Sequence, residues 1–310
     1  MMVYDAAATA RALPWAPLVH AIERTLLDLA QGQVQAPERW VLPLATDTSW
    51  FLMPAWLSAS AGDLAAIKLI TYAAANPERG LPAILGDVLV VRASTGERLA
   101  LLDGPTVTAR RTAAVTLYAA HRLAPRPVGP LLVIGTGVQA LAHVAAFTEA
   151  LGVDEVWVSG RTPASGRAFT QTLHQHGLFA EVATDLDAAL QRCPMIVTCT
   201  PAQAVCLRGT VRDDAFVAAI GAFTPAMIEL DPALTRDIAE RGQVVIDSAA
   251  ARHEAGDLIA AGLTLTDCAT LAEQPARQDR GPVLFKSCGS ALWDLAAARC
   301  VAESPRLPTF

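Results

Sequence analysis

Apolar and polar positions change their period near residue 125. Ahead of that point, residues 14–30 carry Trp15, Leu18, Ile22, Leu26 and Leu29 close to a 3.6-residue repeat, which predicts an amphipathic helix. Residues 38–44 and 50–53 are apolar and β-like, and Pro54 is expected to interrupt the second run. Residues 67–72 form a third strand candidate. Residues 86–91 and 98–102 flank Ala93-Ser94-Thr95-Gly96, a hairpin signal. Together these predict a mixed or antiparallel sheet. Asp103-Gly104-Pro105 reads as a turn, and Thr106 opens a helix to about Leu123. Three prolines and a glycine within 124–130 mark a junction.

From residue 131 the pattern alternates. Strands are expected at 131–134, 153–158, 179–183, 195–199, 215–220 and 243–247, with helices between most of them. That order predicts an α/β fold with a doubly wound parallel sheet. The stretch 131–140, LLVIGTGVQA, runs a buried strand into Gly135 and Gly137, with Ala140 three residues on. Gly135 permits the turn, Gly137 lets backbone approach a pyrophosphate, and Ala140 keeps the helix against the sheet. Residues 272–282 are polar and loop-like. Residues 281–288 lead into a last helix near 290–302, expected to return to the first domain and make it discontinuous. The expected domains are 1–124 with 284–310, and 125–283.

Composition narrows the classes. Of 310 residues, 53% are hydrophobic and only 17% charged, which implies a large core or an extensive subunit interface. The net charge of -6 argues against a nucleic-acid or membrane-surface partner. The start is not signal-like and no apolar run reaches transmembrane length, so the cytoplasm is expected. Cysteines 193, 199, 206, 268, 288 and 300 show neither disulfide nor metal spacing and read as reduced, mostly buried residues. Histidines 143, 174, 176 and 253 fall on helices or exposed turns and are expected at the surface; no metal site is implied. Lysine occurs only at 68 and 286.

Several positions carry chemistry. An NAD-specific site ends its second strand with an acid on the ribose. Here the segment is Ser159-Gly160-Arg161-Thr162, without one. Arg161 suits a 2′-phosphate, with Ser159 and Thr162 adding hydroxyls and Arg167 assisting. A solvated loop arginine is the alternative. NADPH is therefore the preferred cofactor and NADH a possible one. Thr200 follows the fourth strand, where backbone flanks a ligand; Cys199 beside it reads as a structural thiol. Phe223 and Thr224 follow the next strand and are expected to line a nicotinamide pocket. Asp247 and Ser248 read as structural. Lys68 stands in an apolar β-like run, where lysine is either paired or guards a sheet edge. Arg110 and Arg111 project in different directions from one helix, so at most one faces a cleft. Arg39 has a similar apolar context. Two arginines and a lysine suit a small carboxylate.

The sequence resembles the ornithine cyclodeaminase/mu-crystallin family nearly end to end. The resemblance rests on Met53-Pro-Ala-Trp56, Lys68-Leu-Ile-Thr71, Asp103-Gly104, Arg111-Thr-Ala-Ala114, Gly135-Thr-Gly-Val-Gln-Ala140, Gly160-Arg-Thr162, Glu229-Leu-Asp231, Gly256-Asp257 and Phe285-Lys-Ser-Cys-Gly289. It implies a Rossmann-type nucleotide domain plus a discontinuous α+β substrate and dimerisation domain, in a homodimer. By the same resemblance Arg39 and Arg111 match the arginines that grip a substrate carboxylate, and Lys68 the pocket lysine. The implied cofactor contacts are Arg111, Thr112, Gly135, Thr136, Gly137, Val138, Gln139, Ser159, Arg161, Thr162, Thr200 and Ser287. Cyclodeaminases carry a catalytic aspartate where this chain has Phe223, which cannot orient an amine or take its proton. The GAFTP segment is similar to that of bacterial reductases of Δ1-pyrroline-2-carboxylate and Δ1-piperideine-2-carboxylate, and implies a cyclic imino acid as substrate. Three other activities stay open within the family. These are an NADPH-linked binding protein of mu-crystallin type, an ornithine cyclodeaminase, and an alanine dehydrogenase-like enzyme.

Overall fold

The computed structural model describes residues 1–201, 204–278 and 280–303. Part of the expected C-terminal segment, 304–310, and one position of the 272–282 loop therefore lie outside the described residues. The chain divides into two units, Met1–Ala114 with the segment from Ser290, and Val115–Gly289.

The first unit is built on a mixed sheet. Its strands are β1 (Met2–Tyr4), β2 (Val34–Gln35), β3 (Trp40–Ala45), β4 (Thr48–Leu57), β5 (Leu64–Ala73), β6 (Ile84–Arg92) and β7 (Arg98–Asp103). The order is β1-β7-β6-β5-β4-β2, with β3 also on β4. The hairpin turn forms as expected: Gly96 takes a φ of 73° and its N–H returns to Arg92 O at 2.9 Å. Pro54, expected to interrupt a strand, instead sits inside β4. It pairs with Ile67 on one side, while on the other β3 ends at Leu52 and β2 begins at Trp56. A missing N–H there removes no ladder bond from that open side.

Helices α1 (Ala6–Ala12) and α2 (Trp15–Ala30) precede the sheet, and α3 (Gly104–Leu123) follows it. Residues 103–105 do not form a separate turn. Asp103 accepts the Thr106 N–H at 2.8 Å, which caps a helix already begun at Gly104. Glycine is required at 104 because a Cβ there would stand 2.5 Å from Gly86 O.

In the second unit the elements are β8 (Leu131–Ile134), α4 (Val138–Leu151), β9 (Glu155–Ser159), α5 (Pro163–Gln175), β10 (Phe179–Val182), α6 (Leu186–Arg192), β11 (Met195–Thr198), β12 (Phe216–Ala219), α7 (Pro232–Arg241), β13 (Gln243–Ile246), α8 (Ala251–Glu254), α9 (Gly256–Ala260), β14 (Ala269–Thr270) and β15 (Val283–Lys286). The sheet is wholly parallel, in the order β10-β9-β8-β11-β12-β15-β13-β14. It is the doubly wound Rossmann-type sheet that the alternating pattern predicts. β8, β11, β12 and β15 are buried along their whole length, as central parallel strands are. Sequence order breaks at β15, which hydrogen-bonds between β12 and β13. The chain's return to the first unit therefore begins at Ser290 rather than at 284. That return is α10 (Ala291–Ala302), packed on α2, β4 and β5. A helix this apolar on every side belongs in a core.

Candidate active site

Lys68 points to the covered face of its sheet from the middle of β5. Its partners across the ladder, Met53 on β4 and Val88 on β6, are both buried. The edge-strand alternative is thereby removed: Lys68 is 1% exposed on an interior strand. What compensates its charge is Asp294, in the first turn of α10, also 1% exposed. The ammonium lies 3.0 Å from both carboxylate oxygens and donates its directed hydrogen bond to Oδ1. Arg111 Nε stands 3.3 Å from the same Oδ1.

The two neighbouring arginines of α3 do separate. Arg110 places its guanidinium carbon over the Trp15 ring, 3.9 Å from the centroid, and donates to Leu13 O at 2.7 Å, so it fastens α3 to the start of α2. Arg111 turns to the buried carboxylate. Arg39 precedes β3, half-buried, with its guanidinium 5.9 Å from the Phe51 ring centre. Burial pulls the Lys68 pKa from 10.5 down to about 8; Asp294 opposes this, and Arg111 and Arg39 add to it. Two cations thus share one carboxylate while Arg39 adds a third positive charge acting on Lys68, an arrangement that attracts a second anion. Asp294 is the member that sequence reasoning missed. Its signal was a lone acid in the apolar run Ala291-Leu-Trp-Asp294-Leu-Ala296. The one guanidinium of α10, Arg299, holds that helix to Asp28 at 2.5 Å and to Ala61 O at 2.9 Å.

The second unit carries the other half of the expected residues at the carboxyl ends of its strands. Gly135 leaves β8 with a φ of 124°, and its N–H bonds Ser159 O at 2.8 Å. A Cβ at Gly135 would meet Cys199 O at 2.9 Å, so the turn needs glycine. A Cβ at Gly137 would meet nothing within 4 Å. The open space above Gly137 faces the first turn of α4, which has no side-chain cap. The backbone N–H groups of that first turn and the positive helix end fit a pyrophosphate there. Thr136 and Gln139 are half-buried and Val138 is exposed, while Ala140 is buried under the helix. Arg161 is exposed just past β9, on the strand end that Gly135 bonds. Thr162 caps α5 by accepting the Ser165 N–H at 3.1 Å.

Other expected residues have internal partners. Thr200 donates both its N–H and its hydroxyl to Glu229. Ser287 donates to Asp247 Oδ2 at 2.7 Å, where Gly289 N–H also arrives at 2.9 Å. Phe223 and Thr224 follow β12 half-buried, and Phe223 packs on this unit's core. Thr112 is buried in α3. His143, expected at the surface, is fully buried: Nδ1 lies 2.7 Å from Gln139 O and Nε2 3.0 Å from Thr116 Oγ1. Burial pushes its pKa down to about 4, so it is a neutral spacer between α3 and α4.

Residues 1–306 match the pattern of one family throughout. The chain belongs to the ornithine cyclodeaminase/mu-crystallin family. Among its relatives, the Δ1-pyrroline-2-carboxylate/Δ1-piperideine-2-carboxylate reductase of Azospirillum brasilense is 41% identical over 307 residues, covering 97% of this chain and 95% of that protein. Solved structures of the same fold include the Δ1-pyrroline-2-carboxylate reductase of Thermococcus litoralis in complex with NADH and L-proline. Its TM-score is 0.87 at 24% identity, with 97% and 96% of the two chains covered. An archaeal alanine dehydrogenase dimer with bound NAD has a TM-score of 0.84 at 25% identity, covering 97% and 94%. No helix among the described residues is long and apolar enough to cross a membrane.

Proposed function

We propose that the protein is an NAD(P)H-dependent reductase of cyclic ketimine acids, converting Δ1-pyrroline-2-carboxylate to L-proline and Δ1-piperideine-2-carboxylate to L-pipecolate. The observation that carries this reading is the buried cluster in which Lys68 and Arg111 share the single carboxylate of Asp294, with the half-buried Arg39 as a third cation acting on Lys68. A substrate carboxylate supplies the negative charge that this cluster attracts. The Azospirillum relative is named for both reductions. Phe223, in place of a cyclodeaminase aspartate, offers an apolar wall to a ring and no proton acceptor.

The residues divide the work. When bound, the reduced nicotinamide supplies a hydride from C4. Arg39 and Arg111 fix the carboxylate, which orients C2 of the ring. Lys68, held charged on Asp294 at neutral pH, strengthens that grip. The iminium nitrogen receives the C=N electron pair as the new C2–H bond forms, and keeps its proton in the product amine. Gly135, Thr136, Gly137, Val138 and Gln139 would hold the pyrophosphate. Ser159, Arg161, Thr162, Thr200 and Ser287 would hold the rest of the cofactor, and the family resemblance assigns Arg111 and Thr112 to cofactor contacts as well. Arg161, with no acid in its segment, favours NADPH over NADH.

A homodimer belongs to the same reading. The solvent face of the first sheet is apolar in cross-strand rows, Trp40 beside Leu52 beside Leu69, and Leu42 beside Trp50. Trp40, Leu42, Trp50, Trp56, Leu69 and Leu85 are all exposed there. The related archaeal dehydrogenase is a dimer. Six cysteines that form no disulfide among the described residues suit the cytoplasm as its compartment.

Purified protein with each imino acid and each cofactor, followed by loss of reduced-cofactor absorbance, tests the reading. Turnover of either ring acid with NADPH is expected. NADPH binding without turnover of any of them would replace the reductase with a binding protein.

A further inference from the structure

We propose that Glu229 is a positioning residue for the nicotinamide half of the cofactor: its one carboxylate ties the strand-end segment at Thr200 to the strand-end segment at Gly221 and Ala222, and so sets Phe223 and Thr224. This deepens the reductase reading and rests on it.

Glu229 is wholly buried. Its Oε1 accepts from Thr200 N at 2.7 Å and from Thr200 Oγ1 at 2.9 Å. Its Oε2 accepts from Gly221 N at 2.6 Å and from Ala222 N at 3.2 Å. Four donors fill the acceptor sites of one carboxylate. They come from the ends of two adjacent parallel strands, β11 and β12, at the edge where this fold binds its ligand. The approach is close: a Cβ on Gly221 would fall 1.9 Å from Thr200 O and 2.5 Å from Glu229 Oε1.

The carboxylate is itself held. Glu229 N and Leu230 N donate to Asp257 Oδ1 at 2.6 and 2.9 Å. Asp257 Oδ2 pairs with Lys286 Nζ at 2.8 Å, both groups having no exposed surface. Lys286 ends β15, the strand next to β12. The line Lys286, Asp257, Glu229 thus runs across three strand ends. Well-packed apolar side chains would stabilise a core as well as buried charges do. What Glu229 adds is direction, two bonds to each of two segments that flank the cofactor.

The test is Glu229→Gln. Glutamine keeps the volume but has one acceptor oxygen, and its amide nitrogen would confront N–H donors at one segment. Amide exchange at Thr200, Gly221 and Ala222 should quicken at least tenfold. NADPH affinity, carried by the α4 N-terminus, should stay within threefold. With the imino acid as substrate, kcat should fall at least tenfold with KM little changed, and the isotope effect from 4-deuterated NADPH should rise. Gly221→Ala, which forces the segments apart without touching charge, should reproduce the pattern. Quickened exchange with wild-type kcat and isotope effect in Glu229→Gln would overturn the proposal. Should that variant not fold, Thr200→Val, which removes one donor, decides: a threefold or greater loss of kcat together with quickened amide exchange at Gly221 and Ala222 supports the tie, and unchanged exchange at those two residues overturns it. Wild-type protein without imine turnover removes the functional reading and this proposal together. An active wild type with unaltered variants removes the proposal alone.

Discussion

Lys68 and Asp294 lie 226 residues apart in the chain and 3.0 Å apart in the fold. The pair joins the middle strand of the first sheet to the helix that returns from the second unit. Asp294→Asn would leave a buried ammonium facing Arg111 and Arg39. Breaking a buried pair this way costs about 3–5 kcal/mol, so the melting temperature should fall sharply. Lys68→Met combined with Asp294→Leu removes both charges and should recover most of that stability, while imine reduction stays lost. Thermal melts and kinetics on the single and double variants check this. A double variant no more stable than Asp294→Asn would show that uncompensated charge is not the fault.

The depressed Lys68 pKa has two consequences of opposite sign. Below pH about 8 the ammonium is charged, and in the proposed role it helps to hold a substrate carboxylate. Above it, the affinity for L-proline should fall about tenfold per pH unit, and binding should take up a proton. Calorimetry in buffers of different ionisation heat measures both. Stability of the free protein moves the other way. Between pH about 8 and 10.5 the unfolded chain keeps a proton that the folded one has released. The penalty for burying the ammonium is therefore fully present below 8 and is relieved as pH rises through that window. An L-proline affinity flat from pH 7 to 10 would remove Lys68 from the carboxylate site.

Arg161 stands exposed beside the Gly135 turn, with no carboxylate in Ser159-Gly160-Arg161-Thr162. Arg161→Ala should weaken NADPH at least tenfold, about 1.4 kcal/mol, and leave NADH within twofold. Fluorescence titration with both cofactors is the measurement. Equal losses would mean that Arg161 does not read the 2′-phosphate.

Much of this was legible in the chain. The Gly135 turn, its strand and its helix are local, so spacing alone places them. Lys68 announced itself as one of two lysines, set in an apolar run. What pattern could not supply was partnership. Asp294 is in the last helix, and nothing in its own neighbourhood points to residue 68. Glu229, Asp257 and Lys286 stood in motifs, but their connection runs through hydrogen bonds across strand ends rather than through spacing. His143 was expected outside because a helix pattern does not reveal which polar residue has found Thr116 as a partner. β15 was obscured because its place between β12 and β13 departs from chain order.

Phe223→Asp should not create ornithine cyclodeamination. An amine must also be placed to about 1 Å, and one carboxylate does not supply that. If Phe223 is the apolar wall proposed for the ring, the same change puts a charge in its place, and kcat/KM for the imino acid should drop tenfold or more. Assays with ornithine and with both ring acids decide. Full reductase activity would place Phe223 away from the substrate.

Both lysines of the chain are sequestered in aspartate pairs, Lys68 with Asp294 and Lys286 with Asp257. Every cationic side chain that meets solvent is therefore an arginine or a protonated histidine. Reagents that acylate ε-amines, and enzymes that conjugate acetyl or ubiquitin to them, meet a folded surface with no side chain to modify. Succinimidyl crosslinkers would report no lysine-to-lysine distances in any assembly of this protein, and its contacts would have to be mapped through carboxylates or guanidinium groups. In native form its side chains are mute to amine chemistry; lysine labelling would instead register the moment the fold opens.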